Sequence, residues 1–104
     1  MYILDLGYYK SSESKYPDEH FELKYLKGNE LDFAELYNLH EDLSCGELDY
    51  RKETNIEEVK KWLKDGIIRL SYPSKDTKKF NEMVLSDPSP KLRISVYYWQ
   101  SGYD

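Results

Sequence analysis

The sequence predicts an α+β fold, in which an antiparallel or mixed sheet of about four strands packs against two to three helices. The length of 104 residues suits a single domain, residues 1–104, with one hydrophobic core. Stretches with apolar side chains at every second position alternate with stretches in which they recur every three or four residues, the periods of strands and helices. The composition, 39% hydrophobic and 34% charged, is near that of ordinary folded domains.

Two strands are predicted near the N-terminus. Residues 2–9 carry Tyr or Leu at every even position, which is the period of a strand with one apolar face. Phe21, Leu23 and Tyr25 alternate with charged residues and predict the second strand. The segment between them, residues 10–17, is polar, rich in Ser and closed by a proline. It is therefore predicted to be a loop between paired strands.

A helix is predicted from Asp32, where the hydrophobic period changes. Its stripe consists of Phe33, Leu36, Tyr37, His40 and Leu43, at the spacing of one helix face. Two caps are compatible with the sequence: Asp32 with Glu35 at the third helical position, or Asn29 with Asp32 there. Cys45 and Gly46 are predicted to end this helix.

The second helix is predicted after Thr54, with Asn55 as its cap and Glu58 as the reciprocal partner. Its buried stripe is predicted to be Ile56, Val59 and Leu63, flanked by Trp62. Gly66 is expected to stop this helix in the left-handed conformation.

The C-terminal third predicts a strand, a helix and a second strand. Apolar and polar side chains alternate over residues 67–72, and the following proline ends this predicted strand. Residues 74–85 predict a short helix that connects the two strands. Residues 91–100 form the longest apolar alternation of the chain. We therefore expect this last strand to be central in the sheet.

An acidic segment, residues 28–50, is the first candidate contact surface. It contains seven acidic residues and no Lys or Arg, although the net charge of the whole chain is only −5. These acids are Glu30, Asp32, Glu35, Glu41, Asp42, Glu47 and Asp49. In the predicted helix Glu41 and Asp42 fall in the last turn, where the helix dipole costs each about 0.3 to 1 kcal/mol. This local conflict indicates docking of a basic partner, with Tyr37 and Tyr50 as apolar anchors.

An internal role for the acidic segment remains open. Lys75, Lys78 and Lys79 lie at the start of the third predicted helix, where the dipole is also unfavourable for them. The acidic and basic helix ends could face each other within the fold, or both could be solvated.

The second candidate surface lies on the odd-numbered side of the last strand. It consists of Arg93, Tyr97 and Trp99, with Tyr9 adjacent, and these residue types are enriched at interface hot spots. An aromatic sheet face can also stack unpaired bases, but the acidic composition and the absence of an RNP-type run disfavour RNA. The alternative is that a helix covers this face and makes it part of the core.

Catalytic and metal sites find little support in the sequence. His20 and His40 are the two histidines, Cys45 is the single cysteine, and no HExxH, CxxC, GxSxG or glycine-rich phosphate loop occurs. Cys45 and His40 are not at a spacing that brings two side chains of a helix face to face. We expect no enzyme activity, no cofactor and no metal.

Composition also predicts where the protein acts. A strand begins directly after Met1, and no stretch approaches the ~18 apolar residues of a membrane span. One cysteine fits a reducing compartment, and a pI near 5.1 argues against direct binding of duplex nucleic acid. A cytoplasmic protein without membrane contact is therefore expected.

The profile of a short, acidic, Tyr-rich chain is shared by many small inhibitors. They include immunity proteins that neutralise toxins and phage proteins that block host defence nucleases, some by imitating DNA. The first hypothesis is thus a stoichiometric inhibitor that uses the acidic segment to occupy a basic, nucleic-acid-binding surface of a larger protein.

The alternative hypothesis is an adaptor or regulatory subunit of a cytoplasmic complex, docking through Tyr9, Arg93, Tyr97 and Trp99. Charge reversal at Asp42 and Glu47 is expected to abolish the inhibitor's binding and to spare the adaptor's.

Overall fold

The computed structural model describes residues 1–10, 13–44 and 47–99, and for Ser44 and Glu47 it describes the backbone alone. Within these residues three helices pack against one antiparallel sheet of six strands. The strands are β1 (Tyr2–Tyr9), β2 (Glu19–Tyr25), β3 (His40–Ser44), β4 (Glu47–Thr54), β5 (Ile68–Leu70) and β6 (Lys91–Tyr98). The helices are α1 (Glu30–Leu36), α2 (Ile56–Lys64) and α3 (Pro73–Phe80), the last continued by a π-helical turn (Asn81–Leu85). The predicted α+β class is confirmed, with six strands in place of about four.

The strands lie in the order β3-β4-β6-β1-β2-β5, and every neighbouring pair is antiparallel. β6 lies between β4 and β1, so its predicted central position is confirmed. It pairs with β1 along its full length, from Tyr2 opposite Tyr98 to Tyr9 opposite Lys91. The predicted final residue of this strand, Gln100, lies outside the described residues.

The two faces of the sheet have different surroundings. The even positions of β1 and β6 other than Tyr2 and Tyr98 are buried in one cluster with Phe33 of α1, Val59 and Trp62 of α2, and Phe80 of α3. All three helices therefore cover the same side, which we call the helix face. The odd positions point to the other side, the open face, which no helix of the described chain covers.

The predicted helix over residues 32–45 is wrong beyond Leu36. Asn29 caps α1 with Asp32 as the reciprocal partner, the second of the two predicted caps. Asn38 then takes the left-handed conformation (φ 56°), which ends the helix, and the chain continues as β3. Leu36 and Leu43, members of the predicted apolar stripe, are 62% and 72% exposed. The predicted end at Cys45 and Gly46 lies outside the described residues.

β4 was not predicted. It pairs with β3 on one side and with β6 on the other, so it joins the edge hairpin to the central strand. Its helix-face positions include Lys52 and Thr54 as well as Leu48 and Tyr50, and this mixture conceals the apolar alternation by which strands are recognised.

The second and third helices agree with the sequence. The Asn55 side chain accepts a hydrogen bond from the Glu58 backbone N–H (2.9 Å) as predicted. The Glu58 carboxylate accepts one from the Thr54 hydroxyl (2.6 Å) in place of the predicted reciprocal bond to Asn55. Gly66 has the expected positive φ of 70°. The buried stripe is rotated slightly, because Trp62 is buried and Leu63 only half-buried. No helix in the described part of the chain has the length and apolarity needed to cross a membrane.

Candidate binding surfaces

The acidic segment does not form one surface, because its strand residues are divided between the two faces. Asp42 and Asp49 lie opposite each other on the open face of β3 and β4. Arg51 binds both carboxylates. Its Nε and Nη2 donate to the two oxygens of Asp49 at 3.0 and 2.6 Å, and its Nε lies 3.3 Å from Asp42 Oδ2. One guanidinium therefore pairs with both acids, and the three side chains together keep a net charge of −1.

Other members of the segment have structural roles. The Asp32 carboxylate accepts a hydrogen bond from the Asn29 backbone N–H (3.0 Å) and belongs to the α1 cap. Tyr37, predicted as an anchor, packs its ring against Phe33 and Trp62, with centroids 4.7 and 5.1 Å away. The Tyr37 side chain therefore packs mainly in the core. Glu30 is half-exposed in the first turn of α1, and the side chain of Glu47 lies outside the described structure.

An exposed row of apolar side chains crosses one end of the helix face. Leu43 is paired with Leu48, and Tyr98 with Tyr2. Because Asp49 pairs with Tyr97, Leu48 lies beside Tyr98 and the row continues over β3, β4, β6 and β1. We call these four side chains the apolar row. They are between 37% and 72% exposed, and the rings of Tyr2 and Tyr98 meet edge to face at 5.4 Å.

Two carboxylates flank the apolar row. Glu41 lies opposite Tyr50 on the helix face, and Glu35 lies in the last turn of α1. Burial raises the pKa of the Tyr50 hydroxyl, and Glu41, Tyr2 and Glu35 raise it further. Glu35 and Glu41 are exposed, and neither forms an ion pair with another described residue. We call this pair the acidic flank.

The lysines of α3 do not compensate the acidic segment. α3 packs beside β5, at the edge of the sheet opposite β3. Lys79 pairs with Glu19 at 3.3 Å, and none of the ion pairs among the described residues joins α3 to the acidic segment. The internal pairing that the sequence left open is therefore absent from the described structure.

The open face contains a cleft of about 240 Å³. Its floor consists of Asp5, Gly7 and Ser95, which leave a depression because their side chains are small or absent. Larger residues surround this floor: Tyr9, Pro17, His20, Asp49, Arg51, Arg93 and Tyr97.

Three of the four residues predicted for the second surface line this cleft. Tyr9 is buried, with the Arg93 guanidinium 5.8 Å from its ring centre, and Tyr97 is half-buried. Burial raises the pKa of the Tyr97 hydroxyl, and Asp5 and Glu22 raise it further. Trp99 is exposed beyond the end of β6 and does not line the cleft.

A histidine–aspartate pair in the cleft was not predicted. His20 Nδ1 lies 2.7 Å from Asp5 Oδ2, and the Asp5 side chain is buried. The hydrogen bond to Asp5 raises the pKa of His20, although partial burial opposes this shift. The signal in the sequence was a carboxylate within the strand-like residues 2–9. Its partner could not be identified without the β1–β2 register.

The described residues offer no built metal site: no group of three or more His, Cys, Asp or Glu side chains among them is placed to hold an ion. His40 and Cys45 were not predicted to face each other, and Cys45 lies outside the described residues. Comparisons of the chain with protein-family models, curated proteins and solved structures found no match.

Proposed function

We propose that this protein is a stoichiometric inhibitor that docks the apolar row and the acidic flank onto a larger protein. The observation that carries the proposal is the apolar row, four exposed apolar side chains on four adjacent strands. Single exposed leucines are common on proteins, but contiguous apolar patches rimmed by polar groups mark interaction sites. Tyrosines are also frequent among the residues that dominate binding energy.

The charge of the flank indicates the chemistry of the partner. Carboxylates that are desolvated against a neutral surface cost free energy, so Glu35 and Glu41 need basic groups opposite them. A second copy of this chain would place carboxylates near carboxylates. The nearby Lys52 does not supply this basic group, because its ammonium donates a hydrogen bond to the Tyr37 carbonyl at 3.3 Å. The partner surface is therefore an apolar site rimmed by Lys or Arg, such as the nucleic-acid-binding groove of a nuclease.

The test begins with capture of the partner from the native host, followed by binding measurements with the purified pair. The double variant Leu43→Ser/Leu48→Ser should weaken binding at least tenfold, because it removes both leucines and so half of the apolar row. Leu36→Ser is the matched control, since Leu36 is equally exposed on α1 but lies outside the row. It should change affinity less than twofold.

Charge reversal tests the flank separately. Glu41→Lys should weaken binding, whereas Glu57→Lys, at an exposed position of α2, should not. Glu41 is a better choice than Asp42, because Asp42 is bound to Arg51 on the other face. Equal losses in Leu36→Ser and the double variant, or a partner surface without basic groups, would contradict the proposal.

A second candidate is an adaptor that docks through the open face. It is favoured by the absence of helix cover over Arg93 and Tyr97 within the described chain. Because Tyr9 is buried, the contact would rest on Arg93, Tyr97 and Trp99. Trp99→Ala should then weaken partner binding, while the double variant in the apolar row should leave it unchanged.

A further inference from the structure

We propose that the cleft of the open face binds the phosphate group of a small molecule, held by Arg93, His20 and Arg51. The cleft lies on the side of the sheet opposite the apolar row. The inference is therefore independent of the proposed function, and either can fail without the other.

The register of the sheet places these cationic or potentially cationic side chains around one floor. Gly7 lies between His20 of β2 and Arg93 of β6, and with neighbouring strands ~4.8 Å apart their Cα atoms are roughly 10 Å from each other. In the next row Ser95 lies between Asp5 and Arg51 of β4. Side chains with donor groups thus line the same depression from three strands, together with Ser95 and Asp5.

The charges of the cleft leave one arginine without a carboxylate partner. Asp5 pairs with His20, and Asp49 and Asp42 both pair with Arg51. Arg93 has no ion pair among the described residues, although Glu53 lies opposite it on β4. Its guanidinium is packed near the ring of Tyr9, which restricts its position.

The arrangement of donors favours a tetrahedral anion. A planar carboxylate is satisfied by one arginine through two parallel hydrogen bonds, whereas the oxygens of a phosphate accept from several directions. The volume of about 240 Å³ is slightly below the ~300 to 1,000 Å³ of pockets that enclose drug-sized ligands. The cleft therefore suits a phosphorylated molecule of small size.

The first experiment uses the unaltered chain of 104 residues and inorganic phosphate. Phosphate is titrated at pH 7 and constant ionic strength, while the NMR signals of arginine Nε–H groups and histidine rings are followed. We expect saturable shifts at Arg93 and His20, with a dissociation constant in the low millimolar range or below. Absence of saturation up to 20 mM phosphate would overturn the proposal.

The second experiment distinguishes specific binding of phosphate in the cleft from nonspecific electrostatic attraction of anions to the protein. Arg93→Gln should weaken phosphate binding at least tenfold. Arg69→Gln, which removes the same charge from β5 outside the cleft, should leave it within twofold. Acetate should bind at least fivefold more weakly than phosphate. Equal binding of acetate, or equal loss in the two variants, would overturn the phosphate assignment. If Arg93→Gln does not fold, the NMR shifts of Arg93 and His20 in the unaltered protein still test the proposal.

Discussion

Asp5 is a buried carboxylate in the interior of the sheet, and His20 is its hydrogen-bonding partner. A buried charged group is costly unless it is paired, so the imidazole lowers the cost of placing Asp5 between β2 and β6. Glu22 lies opposite Asp5 on β2, and Glu19 adds a smaller favourable charge to the cationic form of His20. The surroundings of His20 are thus acidic on its own strand and on β1, and Arg93 lies beyond Gly7.

The raised pKa of His20 predicts a pH dependence of stability. Its cationic form is favoured in the folded state, so its stabilisation is fully present below the unfolded value of about 6.5 and is lost as pH rises through the folded pKa. Because the His20 side chain is 60% exposed, the effect should be under about 1 kcal/mol. Urea unfolding from pH 6 to 8 should show this loss in the unaltered protein and not in Asp5→Asn.

NMR titration provides the control for this assignment. Asp5→Asn should lower the pKa of His20, whereas His40→Gln should leave it unchanged, because His40 lies two strands beyond β6 at the sheet edge. An unchanged pKa of His20 in Asp5→Asn would show that the Asp5 carboxylate does not stabilise the protonated imidazole.

At the level of single residues, alternation was sufficient to predict that Tyr9, Arg93 and Tyr97 share a face. It could not predict the pairing of Asp5 with His20 or of Arg51 with two aspartates. Those contacts depend on the strand register and on β4, and a register is set by the whole sheet. The division of the acidic segment between two faces has the same cause.

Among the elements, the largest difference between sequence and structure concerns residues 37–44. Their apolar positions fit a helix, but a short helix is marginal by itself, and packing decides whether it continues. Here Asn38 stops α1 after seven residues, and the chain pairs with β4 instead. In contrast, α2 was predicted correctly, because its cap, its charges and its terminal glycine all indicate a helix in the same place.

Gly66, which follows α2, permits a clean test of backbone conformation. It has a φ of 70°, and a Cβ added there would meet no atom within 4 Å. Gly66→Ala should therefore lower the free energy of unfolding by about 1 kcal/mol through conformational strain alone. Gly66→Asn should lose less, because Asn tolerates the left-handed region. Equal losses measured by urea unfolding would contradict this explanation.

For the whole molecule, the sequence predicted the class, the three helices and the central position of β6, since these follow from long apolar patterns. It underestimated the sheet because the β3–β4 hairpin is held to β6 by backbone pairing and carries few buried side chains. The same lack of burial leaves Leu43 and Leu48 exposed. Consequently the part of the fold that was hardest to predict contains the proposed docking surface.

Salt should weaken the binding of a basic partner to that surface. The Debye length falls from ~10 Å at 0.1 M salt to ~3 Å at 1 M, so attraction between the acidic flank and a basic rim is screened. Association should slow severalfold, while dissociation should change less because it depends on the buried apolar contacts. The purified pair can be measured by surface plasmon resonance at both salt concentrations.

Variants test whether the acidic flank causes this salt effect. Glu35→Gln/Glu41→Gln should make the association rate nearly independent of salt, and Glu57→Gln should leave its salt dependence unchanged. A rate that does not change with salt in the unaltered protein would show that the acidic flank is a solvated surface.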